Sequence, residues 1–273
     1  MIRVFPRKTN ATPDDVNVYI GKPTKRNKGY GQEVFISCTF TWDKSRCEEL
    51  AELWKKAGYI PVLGGPAYGD EGSEFIAGRY VKQGYTITSR GCNNRCWFCY
   101  VWKREGRLRE LPIVEGWNVL DSNLLQCSEK HIREVFAMLK QQPEKAVFTG
   151  GLEAKILQDW HMDLLVGLKP KRFYFAYDTP DDYEPLVRAS KLIKEAGFKY
   201  WHVSCYVLIG HPKDTFELAE ARLTQVCKLG LFPMAMLYRG DDGEYKREWR
   251  QYQREWARPI IVGSKLRKIL KGE

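Results

Sequence analysis

No run of apolar residues in this 273-residue chain approaches the ~18 needed to span a membrane, so no membrane partner is expected. The opening residues, MIRVFPRKTN, lack the apolar stretch of a secretory leader, and a cytoplasmic location follows as the expectation. In that reducing compartment the eight cysteines do not read as a disulfide framework. Internal repeats and low-complexity segments are absent. Histidine is scarce, with four in all and none before His131. Acidic residues are outnumbered, 34 against 44 Lys and Arg, for a net charge of +10. That surplus permits a polyanionic partner such as a nucleic acid, because net charge governs association without specifying activity.

What is present is enough apolar material, 44% of residues, for a full core. At about 150 residues per domain the length suggests two domains, or one large α/β barrel with an extension. From Tyr85 onward, short apolar runs alternate with helical patterns, as in a parallel sheet with crossover helices. The expected strands are Tyr85–Ser89, Trp117–Asp121, Ala146–Gly150, Arg172–Asp178, His202–Gly210 and Phe232–Tyr238. Expected helices cover Cys127–Gln142, with Ser128 as N-cap, Asp182–Ala196, stopping at Gly197, and Thr215–Leu229, stopping at Gly230. Earlier in the chain, Val34–Phe40, a helix over Cys47–Ala57 and Tyr59–Leu63 form one βαβ unit, and the basic stretch Lys22–Lys28 reads as a loop. The fold class is α/β, divided into residues 1–80, a small Rossmann-like unit; 81–240, six strands and their helices; and 241–273, a basic aromatic helix and tail.

Three of the cysteines fall within eight residues, Cys92-Asn-Asn-Arg-Cys96-Trp-Phe-Cys99. Three thiolates at spacings of four and three can surround one metal centre. A structural zinc site wants four protein ligands, and the next candidates, Cys127 and His131, lie far along the chain. A three-thiolate set suits an iron–sulfur cluster with one iron left open. The other five cysteines form no CxxC pair, so a second cluster is not expected. Cys205 and Cys127 read as small buried residues before they read as reactive ones, and His202 and His211 are assigned no role.

Cys-x3-Cys-x2-Cys, with an aromatic residue (Phe98) before the last Cys and placed after the first of six strands, resembles the signature loop of the radical S-adenosylmethionine (SAM) superfamily. The resemblance covers residues 81–240 and implies a (βα)6 partial barrel. It implies a 4Fe-4S cluster on Cys92, Cys96 and Cys99 whose fourth iron is chelated by SAM. Reductive cleavage would then yield a 5′-deoxyadenosyl radical that takes hydrogen from a substrate. An external electron donor such as flavodoxin or ferredoxin is implied with it. Where the superfamily often carries Gly-Gly-Glu at the second strand, this chain has Asp121-Ser122-Asn123; its own Gly150-Gly151-Leu152-Glu153 follows the third. Asp121, Asn123 and Glu153 are therefore all candidates to hold the SAM amino group. Tyr177 and Asp178 are candidates for the ribose or carboxylate, and Ile209, Gly210 and Met234 for adenine.

Residues 1–80 resemble a shortened cobalamin-binding-like domain, yet no Asp-x-His-x-x-Gly loop is present. A cobalt-ligating His in this unit is excluded and cobalamin is not expected. In the tail, Tyr245, Trp249, Tyr252 and Trp256 form one helical stripe beside a ridge of Lys246, Arg250, Arg254 and Arg258. This reads either as stacking and phosphate contacts on nucleic acid or as an amphipathic helix packed on the barrel, the second being preferred, with Pro259 ending the helix. The functional expectation is a radical SAM enzyme whose substrate is a nucleic acid or nucleotide, a peptide or a small metabolite, the first being favoured. The competing class is a non-catalytic zinc- or iron–sulfur-binding protein that contacts nucleic acid.

Overall fold

The computed structural model describes residues 1–25, 27–70, 74–240 and 243–271. The first unit is built on β1 (Ile2–Phe5), β2 (Val18–Ile20), β3 (Glu33–Ser37), α1 (Lys44–Lys56) and β4 (Ile60–Gly64). Its four strands are parallel, in the order β2-β1-β3-β4. The expected βαβ unit is β3-α1-β4. Its own core gathers Val4, Val34, Ile36, Leu50 and Trp54, with the Trp54 indole donating to the Gly21 carbonyl at 3.1 Å.

The remainder begins with β5 (Tyr85–Thr86), a short antiparallel pair β6 (Ser89–Arg90) and β7 (Arg109–Glu110) enclosing α2 (Val101–Arg104), and β8 (Asn118–Val119). It continues through α3 (Glu129–Lys140), β9 (Val147–Phe148), α4 (Asp159–Leu168), β10 (Arg172–Ala176), α5 (Tyr183–Glu195), β11 (Val203–Ile209), α6 (Phe216–Lys228) and β12 (Phe232–Leu237). Six of these strands form one sheet, β5-β8-β9-β10-β11-β12, with every pairing parallel and spatial order following chain order. Such consecutive crossovers share one hand and lay the helices on one face; accordingly α3 packs on α4, and α4 on α5. Phe148, Phe173, Phe175, Val203, Cys205, Val207 and Ile209 point to that helical side and are buried. By the two-residue period of a strand, Tyr174, Tyr206 and Met234 occupy the other face, where Tyr174 and Tyr206 stack at 4.9 Å.

The helix ends follow local chemistry. Ser128 accepts from the His131 amide and Thr215 from the Leu218 amide, each satisfying an orphan donor. Gly197 and Gly230 follow their helices at φ +80° and +74°.

The tail departs from expectation. Instead of one long helix with an extension, it forms α7 (Arg247–Ala257) and α8 (Pro259–Lys271). Proline has no amide proton to donate within α7, yet its fixed φ suits the first turn of α8. Asp241 and Asp242, where the tail was expected to begin, lie outside the described residues. Trp249, Trp256, Val262 and Leu266 join the core of the six-stranded sheet, and Trp256 Nε1 donates to Glu220 at 2.9 Å. The two indoles of the stripe therefore pack inward and are not presented for base stacking.

The first unit touches both edges of the large sheet. Next to β5, the Lys82 amide donates to the Ala11 carbonyl at 2.8 Å and Lys82 Nζ pairs with Asp14 at 2.6 Å. Beyond β12, the Arg239 guanidinium lies 4.8 Å from the Trp42 ring. No helix among the described residues is long and apolar enough to cross a membrane.

Candidate functional site

The cysteine loop leaves the sheet at the carboxyl end of β5, the side on which ligands of parallel α/β sheets bind. Its own hydrogen bonds shape it. Gly91 sits at φ +80°, and a side chain there would collide with the Arg107 carbonyl, so only glycine lets the chain turn against the β7 segment. The Gly91 amide donates to Glu105 Oε2 at 3.1 Å and the Cys92 amide to the Gly106 carbonyl at 3.2 Å. Glu105, buried, pairs with Arg104 and, at 3.7 Å, with Arg90. Further on, the Trp102 indole and the Cys99 amide both donate to the Cys96 carbonyl, at 2.9 and 3.1 Å.

All three cysteines are free and partly exposed. Burial, then the neighbouring Cys99 and Cys92, pushes the Cys96 thiol up to about 11; burial also raises Cys99. Both shifts favour the protonated thiol, so loading a metal must release the protons of Cys96 and Cys99. Among the described residues no three His, Cys, Asp or Glu side chains converge closely enough to hold a metal ion.

Asn123 and Glu153, expected from different strands, meet beside this loop. Asn123 Nδ2 donates to Glu153 Oε2 at 2.6 Å and lies 3.8 Å from Cys92 Sγ. Asn123 is 5% exposed, and its Oδ1 is buried with no hydrogen-bond partner among the described residues. Such an acceptor costs about 1–3 kcal/mol unless something donates to it. Gly150, which begins the turn to Glu153, lies so close to the Asp121 carbonyl that a Cβ would overlap it. Gln126, which sequence reasoning missed, ties the parts together: its Nε2 donates to Glu153 Oε2 at 3.0 Å and its Oε1 accepts from the Asn93 amide at 2.8 Å. The signal was its position three residues after Asn123, on the same short turn.

The charge of Asp178 contributes to raising Cys96 and Cys99. Burial, then Asp182, lifts its carboxyl to about 7, while Oδ1 accepts from the Leu208 amide at 3.0 Å. Trp97, also missed, extends from the cysteine loop to ring contacts with His211 at 5.5 Å and Tyr238 at 5.6 Å. The loop after the first strand of the sheet therefore reaches the ends of the last two.

Four of the expected contact residues are buried or have partners within the chain. Asp121 is 1% exposed, and its carboxylate accepts from the Thr88 amide (2.7 Å), Thr88 Oγ1 (2.6 Å) and Ser89 Oγ (2.8 Å). It locks the second strand to the first. Tyr177 continues the parity of Phe173 and Phe175 into the helical side, where its hydroxyl donates to Gln225 at 2.8 Å. Ile209 is fully buried there too. The Gly210 amide is engaged by Asp214 at 2.8 Å. Met234 remains on the open face beside Tyr206.

No family model matches the chain, and no curated protein matches it.

Proposed function

We propose that the chain is a radical SAM enzyme, with the six-stranded sheet as a (βα)6 partial barrel and a four-iron cluster on Cys92, Cys96 and Cys99. The observation that carries this reading is the buried, unpartnered Asn123 Oδ1 beside Glu153 and Cys92, at the carboxyl end of a parallel sheet in chain order. An ammonium is the donor that such a pair of acceptors suits, and SAM carries one. The donor set fits the cluster: three unpaired thiols on one loop, where a structural zinc would want a fourth protein ligand. When bound and reduced, the cluster would supply the electron that splits SAM into methionine and a hydrogen-abstracting 5′-deoxyadenosyl radical.

The chain's own residues orient and shield. Asn123 Oδ1 and Glu153 accept from the SAM ammonium. Gln126 holds Glu153 in place. Met234 and Tyr206 offer an apolar surface for adenine on the open face. Trp97, reaching across to Tyr238, covers the mouth and excludes water. That crossing also fits a curled sheet, since six flat strands would set their edges about 24 Å apart. The reading calls for an external one-electron donor of flavodoxin or ferredoxin type and for a reducing, cytoplasmic setting. The substrate class we favour is a nucleic acid or nucleotide, on the net charge of +10.

Anaerobic protein reconstituted with iron and sulfide, then given SAM, dithionite and an RNA or nucleotide pool, should release 5′-deoxyadenosine, and Cys99→Ala should release none. Equal release by the variant would refute the assignment.

A further inference from the structure

At the opposite end of the same sheet, where β9, β10 and β11 begin and α4 and α5 end, the surface opens into a cavity of about 790 Å³. That falls in the ~300–1,000 Å³ range of small-molecule sites. Its lining includes Lys145, Lys169, Lys171 and Arg172 and contains no Asp or Glu. Helix C-termini attract cations, and two helices end here, but each carries only about half a negative charge. One lysine would balance both ends, so the cations exceed what capping requires.

The four are not equivalent. Arg172 donates through Nε and Nη2 to the Trp201 carbonyl, at 3.3 and 3.2 Å, and so fixes the chain at Trp201. The three lysines are in no ion pair among the described residues and are exposed. Lys169 ends α4 in the left-handed region at φ +52°, a place where glycine or asparagine is usual; here it carries a charge on the rim. Burial, then Lys145 and Arg172, holds His202 below its ordinary value, which places both cations beside the cavity's imidazole. Trp201 itself is half-exposed, braced edge-on by Tyr200 at 4.9 Å and tilted against His202 at 5.7 Å. An indole held open beside three unpaired lysines is the combination that binds an aromatic base and its phosphate.

We propose that this cavity binds a nucleotide, its base stacked on Trp201 and its phosphate held by Lys145, Lys169 and Lys171. The nucleotide is either free or one unit of a single-stranded nucleic acid. The proposal rests on the cavity alone and stands whether or not the opposite end carries a cluster.

The test uses the full chain and anisotropy of a labelled oligothymidylate of about 15 nucleotides, with AMP as competitor. Trp201→Ala should weaken binding roughly fivefold or more, and Trp201→Phe should retain most of it. Lys145→Glu, Lys169→Glu and Lys171→Glu together should weaken it at least tenfold and flatten its salt dependence. A control triple in the tail, Arg267→Glu, Lys268→Glu and Lys271→Glu, changes net charge equally and should cost less than about a third of that. Displacement by AMP identifies a free nucleotide; AMP failing to displace while Trp201→Ala still weakens binding identifies a strand. Wild-type binding of neither probe, Trp201→Ala binding as wild type, or equal losses in the two triples would overturn the proposal. Circular dichroism checks that each variant is folded.

Discussion

The two ends of the six-stranded sheet share the same strands and differ in almost everything else. At the carboxyl end, Glu153 and the Cys92 thiol lie beside a buried amide whose oxygen has no hydrogen-bond partner among the described residues. At the amino end, three unpaired lysines and a half-exposed indole ring a cavity without a carboxylate. Helix polarity accounts for the sign of each, because helix N-termini favour anionic groups and C-termini favour cations. It does not account for the open Asn123 acceptor or for the surplus lysines. Those departures from simple charge complementarity are where each end becomes a candidate site, one for chemistry and one for binding.

The comparison is sharpest if the ends can be disabled separately. Cys92→Ala, Cys96→Ala and Cys99→Ala should each reduce SAM cleavage to background, measured as 5′-deoxyadenosine, while oligothymidylate binding at the other end is unchanged. Next comes Asp121→Ala. It strips the acceptor from three buried donors of Thr88 and Ser89 and should cost about 3 kcal/mol in urea unfolding, since each unsatisfied group costs about 1–3 kcal/mol. The loss would appear with or without iron. Asn123→Ala should weaken SAM binding about tenfold by calorimetry, the value of one hydrogen bond to a charged group, with iron content retained.

The smallest effect concerns His161 at the start of α4, which accepts from the Gln158 amide through Nδ1 at 3.0 Å. Burial holds its pKa below 6.5, so protonation favours the unfolded chain. Its contribution is complete above pH 6.5 and is lost as pH falls through the depressed folded value. The urea midpoint should therefore fall more between pH 7 and pH 5 in the wild type than in His161→Gln.

Much of this was legible beforehand where local signals agreed. α3, α5 and α6 had clear apolar periods, with Ser128 and Thr215 as caps and Gly197 and Gly230 as stops. α4 escaped because DWHMDLLVGL is apolar on most sides and is capped by Gln158 and His161, an atypical pair. β1 was hidden by a buried Arg3, whose charge Asp15 meets at 2.6 Å, breaking the expected alternation. That three cysteines share one short loop was readable from spacing alone. That Asn123 and Glu153 would share a hydrogen bond was not, because they come from different strands and only the sheet brings them together. The face that Tyr177 and Ile209 occupy was readable: each shares parity with the buried residues two and four positions earlier on its strand. Candidate status rested on position at a strand end, and the period of two decides which face a strand-end residue serves.

The central claim, a four-iron cluster on a three-thiolate loop, is tested most directly by metal and sulfide analysis with electron paramagnetic resonance on the anaerobically reconstituted full chain. The account predicts about four irons and four sulfides per chain, a reduced-cluster signal altered by SAM, and loss of both in Cys96→Ala. One zinc per chain with no bound iron or sulfide, unchanged in that variant, would contradict it.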